Sequence, residues 1–280
     1  MPSNTASQLA RAEAFQRLHQ GPGAFLMPNP WDAGSARLLS QLGFAALATT
    51  SAGLAHSLGL PDGRNEIGRD QTLANARAIT AASTLPVSAD LESCFGTEPG
   101  GVGETIRQAA DAGLVGGSIE DATGDADRPI QPFDVAVDRV REVVEAAREL
   151  PFPFTVTARA ENFRCGISDL DDTIRRLQAF EAAGADVLYA PGLPDLAAVR
   201  TVCAAVSLPV NVLAGPADSV AELAAAGVRR ISLGSMLSRT ALGALVSAAR
   251  EMLDQATFGF GAAALPYPLA NSMMAEPEHR

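Results

Sequence analysis

The sequence predicts an α/β chain closed into a (β/α)8 TIM barrel, and three observations carry the prediction. Short apolar runs alternate with longer Ala-, Leu-, Arg- and Glu-rich segments along the whole chain, the order expected of βα units in a parallel sheet. Several helical segments close on a glycine just before the next apolar run, at Leu42-Gly43, Ala112-Gly113, Ala183-Gly184 and Ala226-Gly227, which is helix C-cap punctuation. The place after the first run, where a doubly wound open sheet carries its Gly-rich phosphate loop, holds Pro28-Asn29-Pro30-Trp31-Asp32 instead.

Taken in order, an amphipathic helical pattern follows the polar N-terminus. Apolar runs then place strands at 24–27, 45–49, 87–90, 117–120, 155–159, 187–189, 210–213 and 230–233. Helical patterns lie between and after them at 33–42, 67–83, 102–112, 133–149, 170–183, 196–205, 219–225 and 236–255. Eight βα units within 280 residues match the ordinary size of a closed barrel. No linker or low-complexity segment divides the chain, so residues 1–280 read as one domain with a C-terminal helical extension at about 236–280. After Gln255 the pattern breaks at Phe258-Gly259-Phe260-Gly261, Pro266 and Pro268. This tail is expected to pack on the barrel or on a neighbouring subunit.

Composition narrows the function. Acidic residues number 32 against 21 basic ones, a net charge of −11. That argues against nucleic acid or an anionic membrane surface as partner and requires local cations for any anionic substrate. Cys94, Cys165 and Cys203 show no CxxC spacing, hence neither a disulfide framework nor a zinc knuckle. The N-terminus shows no secretory pattern, and no apolar run approaches the roughly 20 residues that span a bilayer. A cytoplasmic protein is expected.

The strand ends carry the candidate chemistry, since the active site of such a barrel lies at the C-terminal ends of its strands. Asp90 and Glu92 leave the third strand two residues apart, and so on one side. The fourth strand ends in Glu120-Asp121. Carboxylates converging on one mouth repel unless a cation sits among them; oxygen donors without His or Cys suit Mg2+, or Mn2+ as the alternative. The fifth strand ends in Arg159-Ala160-Glu161. Arg159 is expected to meet a substrate carboxylate or oxyanion, with Glu161 orienting it. Thr50, Ser51 and Ala52, with Gly53, form a small-residue turn whose backbone can approach a carboxylate. Asn211 on the seventh strand and Arg239 at the start of the last helix point at the same mouth. The long loop 56–66 reads as a lid that carries Asp62. No Ser-His or Cys-His pairing suggests a covalent triad, and the histidines have no metal-ligand spacing.

These residues resemble the isocitrate lyase/phosphoenolpyruvate mutase superfamily. The resemblance rests on Asn29-Pro30-Trp31-Asp32-Ala33-Gly34-Ser35-Ala36-Arg37, Ser57-Leu58-Gly59-Leu60-Pro61-Asp62, Ala89-Asp90-Leu91-Glu92, Ile119-Glu120-Asp121 and Ala158-Arg159-Ala160-Glu161. It implies a (β/α)8 barrel whose last helix is swapped between subunits of a dimer within a homotetramer. It also implies Mg2+ bound by Asp90, Glu92 and Glu120, and catalysis by Asp62, Arg159 and Glu120. The substrate, a small α-oxo or 2-hydroxy carboxylate, would be bound by Thr50, Ser51, Ala52, Arg159 and Asn211, and Trp31 and Arg239 are further substrate-binding candidates. The chain departs from the family pattern after Glu120-Asp121. There the isocitrate and methylisocitrate lyases have a Cys-Gly-His segment whose cysteine donates a proton, and this chain reads Ala122-Thr123-Gly124-Asp125-Ala126-Asp127-Arg128-Pro129. Cys94 stands where the family has Gly. Tyr189-Ala190-Pro191-Gly192 lacks the His and Ser of the phosphonate mutases and the Glu of the methylisocitrate lyases.

The expected activity is Mg2+-dependent cleavage or formation of a C–C bond next to the carboxylate, methylisocitrate lyase-like or oxaloacetate decarboxylase-like, through an enolate. Two alternatives stand beside it: P–C bond chemistry of the phosphonomutase type, and an oxo-acid-binding barrel without catalysis.

Overall fold

A computed structural model of the chain describes residues 4–64, 66–96 and 100–275, and these build a nearly closed barrel of eight parallel strands. The strands are β1 (Phe25–Met27), β2 (Leu47–Ala48), β3 (Val87–Asp90), β4 (Gly116–Glu120), β5 (Thr155–Arg159), β6 (Val187–Tyr189), β7 (Val210–Leu213) and β8 (Arg230–Ser232). From β2 to β8 each strand pairs with the next in sequence, and β8 returns to pair with β1. The remaining seam lies between β1 and β2. There the Ala48 N–H donates to the Pro28 carbonyl at 3.1 Å. The Asn29 side chain spans the same seam, donating to the Thr49 carbonyl (3.0 Å) and accepting from the Leu233 N–H (2.8 Å). Asn29 is buried and joins the ends of β2 and β8.

Alternation along each strand divides the barrel into two environments. Val156 and Ala158 of β5, Leu188 of β6 and Ile231 of β8 face the surrounding helices and belong to one continuous apolar core. Ser88, Ser118, Thr157, Asn211, Arg230 and Ser232 are buried polar residues of the strands. A barrel of this kind normally fills its lumen with bulky branched side chains. This one is polar down its interior.

Helix α1 (Asn4–Gln20) closes the floor. Its Phe15 is fully buried, its Gln8 donates to the Ala110 and Leu114 carbonyls, and its His19 stacks edge-on between Phe15 and Phe25. The barrel helices follow as α2 (Ala33–Gln41), α3 (Ser51–Ser57), α4 (Arg69–Ala81), α5 (Gly101–Asp111), α6 (Phe133–Arg148), α7 (Leu170–Ala182), α8 (Leu196–Ala205), α9 (Val220–Ala225) and α10 (Met236–Gln255). A 3-10 turn at Gly259–Ala263 leads to α11 (Tyr267–Met274), which lies against α2, with Gln41 Nε2 donating to the Met273 carbonyl at 2.9 Å.

Two helices depart from the sequence expectation. The turn expected at Thr50–Gly53 is the first turn of α3, with Thr50 as N-cap accepting from the Gly53 N–H. A seven-residue helix with glycine inside it is too short for periodicity to register. The tail expected to leave helical pattern re-forms one in α11 behind Pro266, with Pro268 in its first turn, where proline is tolerated. The expected lid loop 56–66 begins inside α3, and its Asn65 lies outside the described residues, as does residues 276–280 of the expected extension. No helix among the described residues is long and apolar enough to cross a membrane.

Candidate active site

The strand register lays one polar row across the barrel wall. Glu120 of β4 stands opposite Arg159 of β5, Arg159 opposite Tyr189 of β6, Tyr189 opposite Asn211 of β7, and Asn211 opposite Arg230 of β8. The row faces a cavity of about 990 Å3 at the C-terminal mouth.

Arg159 is the hub. Its Nη1 meets Asp90 Oδ1 at 2.8 Å, its Nη2 meets Glu120 Oε2 at 2.9 Å, and its Nε meets Glu161 Oε1 at 2.7 Å. Its guanidinium also lies over the Tyr189 ring, 5.1 Å from the centroid. Burial opposes its charge, but the three carboxylates outweigh burial and raise its pKa further. Asp90 is held from several sides. Its N–H donates to Thr49 Oγ1 (2.9 Å), and its Oδ2 accepts from Ser51 Oγ (2.9 Å). Burial pushes the Asp90 carboxyl up, yet Arg159 and Ser51 together hold it below the usual carboxylate range.

The neighbouring acids go the other way. Burial, then the charges of Asp90 and Asp62, push Glu92 up to about 7. Burial drives Glu120 well above its ordinary value; Arg159 opposes the shift, and Glu161, Asp90 and Glu92 add to it. Glu92 takes a left-handed backbone (φ 50°), and Cys94 and Phe95 follow it there at 59° and 55°. Such a run of non-glycine residues is strained and is retained where it aims something. Its carbonyl accepts from the Glu120 N–H at 2.9 Å, which ties the two acid-bearing strand ends together.

The acids of the mouth, Asp62, Asp90, Glu92, Glu120 and Glu161, therefore outnumber the two arginines paired with them, Arg159 and Arg164. Burial first, and then the neighbouring acids, raise Glu92 and Glu120. Among the described residues no three His, Cys, Asp or Glu side chains already close on one point as a metal cage. The donor set nonetheless fits a hard divalent cation that keeps part of its water shell: oxygen ligands only, in excess of the local cations.

Of the residues expected from the sequence, Asp62, Asp90, Glu92, Glu120, Arg159, Glu161, Thr50, Ser51, Ala52, Asn211 and Arg239 line this cavity together. Trp31 is not among the lining residues. Its carbonyl accepts from Asn75 Nδ2 at 2.8 Å, and its Cβ sits where a side chain on Gly53 would have to go. Asp121, expected with the converging carboxylates, turns away from the mouth. It accepts from the Glu161 N–H (2.8 Å) and from Arg176 Nη1 (3.0 Å) and so fixes the strand ends from behind. Asp62, on the loop expected to act as a lid, pairs with Arg164 Nη2 at 3.2 Å.

Arg164, Tyr189, His56, Cys165 and Arg230 also line the cavity and were not anticipated as site residues. For Arg230 a signal was present: period two from Ser232 places it on the inward side of its strand. Burial pushes the Tyr189 phenol up to about 12, so it stays neutral.

A family model described as phosphoenolpyruvate phosphomutase matches residues 15–253. The chain is 32% identical to the oxaloacetate decarboxylase of Bradyrhizobium diazoefficiens over 80% of its own length and 78% of that protein's. It is 32% identical to the 2-methylisocitrate lyase of Escherichia coli K12 over 64% of this chain and 61% of that one. Among solved structures, a candidate lyase/mutase of Burkholderia cenocepacia J2315 is 56% identical, with 97% of this chain and 98% of that chain covered and a TM-score of 0.94.

Proposed function

Because the chain belongs to the phosphoenolpyruvate phosphomutase family, within the isocitrate lyase superfamily, we propose that its barrel mouth is the active site of a Mg2+-dependent carbon–carbon lyase. Its substrate is a small α-oxo or 2-hydroxy carboxylate, handled as in an oxaloacetate decarboxylase or a methylisocitrate lyase. The observation that carries the reading is the hub itself: one buried arginine bound to carboxylates from three strand ends, beside acids short of countercharge.

Asp90, Glu92 and Glu120 would hold the cation, directly or through its waters. Once bound there, Mg2+ supplies a Lewis acid and the positive charge this cluster lacks. The chain's own residues do the rest. The backbone and hydroxyls of Thr50, Ser51 and Ala52 cradle the substrate carboxylate. Arg159 spends three of its five N–H groups on acids, leaving the others for the oxygen on which negative charge develops. In a decarboxylation the bond from the α-carbon's neighbour to the leaving carboxylate breaks, carbon dioxide departs, and the electron pair passes into the enolate. A proton taken up from solvent then forms a new C–H bond at the carbon that lost the carboxylate. Glu161 keeps Arg159 oriented, and the Asp62–Arg164 pair holds the lid over the site to exclude water. Asn211 and Arg239 contact the substrate farther from its reacting carbon.

Breaking a P–C bond is the second reading, favoured by the family that the model describes. Both readings keep the same platform, and a screen separates them. Oxaloacetate and methylisocitrate are offered beside phosphonopyruvate and carboxyphosphonoenolpyruvate, with Mg2+, and products are followed by NMR. Turnover of a C–C substrate, abolished in Asp90→Ala, is expected. Unchanged metal-dependent turnover in Asp90→Ala would sink the metal assignment. Tight oxalate binding with no product from any substrate would mark a binding protein.

We further place the enzyme in the cytoplasm, in keeping with three unpaired cysteines, and read it as a homo-oligomer. Only Ser238 of α10 is buried, while Leu242, Leu245, Val246, Met252 and Leu253 are exposed. An apolar helix standing this bare suits exchange with a second copy, as the family resemblance implies.

A further inference from the structure

Arg230 is a buried cation in the cavity wall with no acid beside it. It is 3% exposed and lines the cavity. Its described partners are all neutral: Nε donates to Asn211 Oδ1 at 2.9 Å, Nη2 to Thr157 Oγ1 at 3.0 Å, and Nη1 lies 3.5 Å from His19 Nε2. The His19 contact can be read further. His19 Nδ1 lies 2.8 Å from the Phe15 carbonyl, which can only accept, so Nδ1 carries the proton and Nε2 offers its lone pair to Arg230. These contacts use three of the five guanidinium N–H groups and leave one on each terminal nitrogen.

The other arginines near the mouth differ: Arg159 is ion-paired with three carboxylates, Arg164 is paired with Asp62, and Arg239 is exposed. A guanidinium buried without countercharge is costly, and a chain keeps one where a ligand completes it. Burial pulls Arg230 down to about 9, which still leaves it charged at neutral pH.

We propose that Arg230 is a specificity-determining residue: its free N–H pair takes a second anionic group of the substrate, at the far end of the polar row from the carboxylate held at Thr50–Ala52. The inference rests on the carboxylate-lyase reading above and deepens it. The enzyme would read its substrate at two charged ends, with Arg159 and the residues that would hold the cation lying between them. His19 and Thr157 act as positioning residues, holding the guanidinium from the floor and from β5.

Malate and lactate share a 2-hydroxy acid head and differ in the second carboxylate, so their ratio of affinities isolates Arg230. Both are titrated calorimetrically with Mg2+ present, with oxalate as a probe of the head site alone. The wild type is expected to prefer malate by about 50-fold or more, the scale of one buried charge-assisted contact. In Arg230→Gln, which keeps a polar group beside Asn211, the preference should collapse to within about fivefold. If the glutamine variant does not fold, Arg230→Lys is read instead: without the fork anchored by Asn211 and Thr157, the preference should drop by about tenfold. An undiminished preference in the folded variant, or no preference in the wild type while oxalate binds, overturns the role of Arg230 alone. Failure of oxalate, malate and lactate all to bind overturns the carboxylate reading, and the role of Arg230 with it.

Discussion

Arg159 works because three strand ends deliver acids to the three different nitrogens of one planar group. Most of this was legible from period two at the strand ends, which placed Asp90, Glu92, Glu120, Arg159 and Glu161 on the mouth side. For Arg230 period two gives only the inward side of its strand and not its partners, which are distant in sequence: His19 is 211 residues away and Thr157 is 73. No local pattern predicts a cation completed by the floor helix. His19 also leads to a prediction. Its folded-state pKa lies near 3 against 6.5 when free, first through burial and then through the charge of Arg230. The lowered value means that the unfolded chain takes up a proton between these limits and the folded chain does not. Stability from a neutral His19 is thus complete above pH 6.5 and is lost as pH falls toward 3. His19→Gln keeps an acceptor for Arg230 and removes the titration. Urea unfolding at pH 7.5, 6.5 and 5.5, values chosen about the free histidine pKa, should show the wild type losing stability relative to the variant by up to about 1.4 kcal/mol per pH unit. Parallel curves would contradict it.

At the scale of elements, the barrel was readable from the alternation of apolar runs with Gly-capped helices, and all eight strands lie within a residue or two of their expected bounds. Helix α3 was not readable, since its small residues and internal Gly53 look like a turn. Its close seating explains the composition. A Cβ on Gly53 would meet Thr50 Cγ2 at 2.6 Å, the Trp31 Cβ at 3.0 Å and Ser238 Oγ at 3.3 Å. The glycine therefore lets α3 lie against both the β1 loop and the start of α10, and so fixes Thr50–Ala52 at the mouth. Gly53→Ala is expected to cost about 1–3 kcal/mol by overpacking, measured by chemical denaturation. It should also raise KM more than it lowers kcat, because the proposed carboxylate cradle at Thr50–Ala52 moves while Arg159 stays. Wild-type stability with wild-type KM would show that the contact is not tight.

At the scale of the molecule, a chain with net charge −11 gathers more acids than paired arginines at one mouth and leaves an apolar face on its last long helix. Leu245, 63% exposed, and Leu253, 85% exposed, sit on that face. Leu245→Glu is expected to shift the protein from an oligomer to its 28.9 kDa chain in light scattering; an unchanged mass would place the interface elsewhere. The identity of the reaction was the least legible feature, because Ala122–Pro129 carries none of the side chains by which the family's lyases donate protons. The platform beneath it is the central claim, and metal binding reports on it without requiring turnover. Mn2+ relaxation enhancement, measured with and without oxalate on the wild type and on Asp90→Asn, tests it most directly. The wild type should bind Mn2+ and bind it more tightly with oxalate, and Asp90→Asn should lose about 100-fold in affinity, the upper range for damaged metal sites. Equal Mn2+ binding by both proteins, indifferent to oxalate, would contradict it.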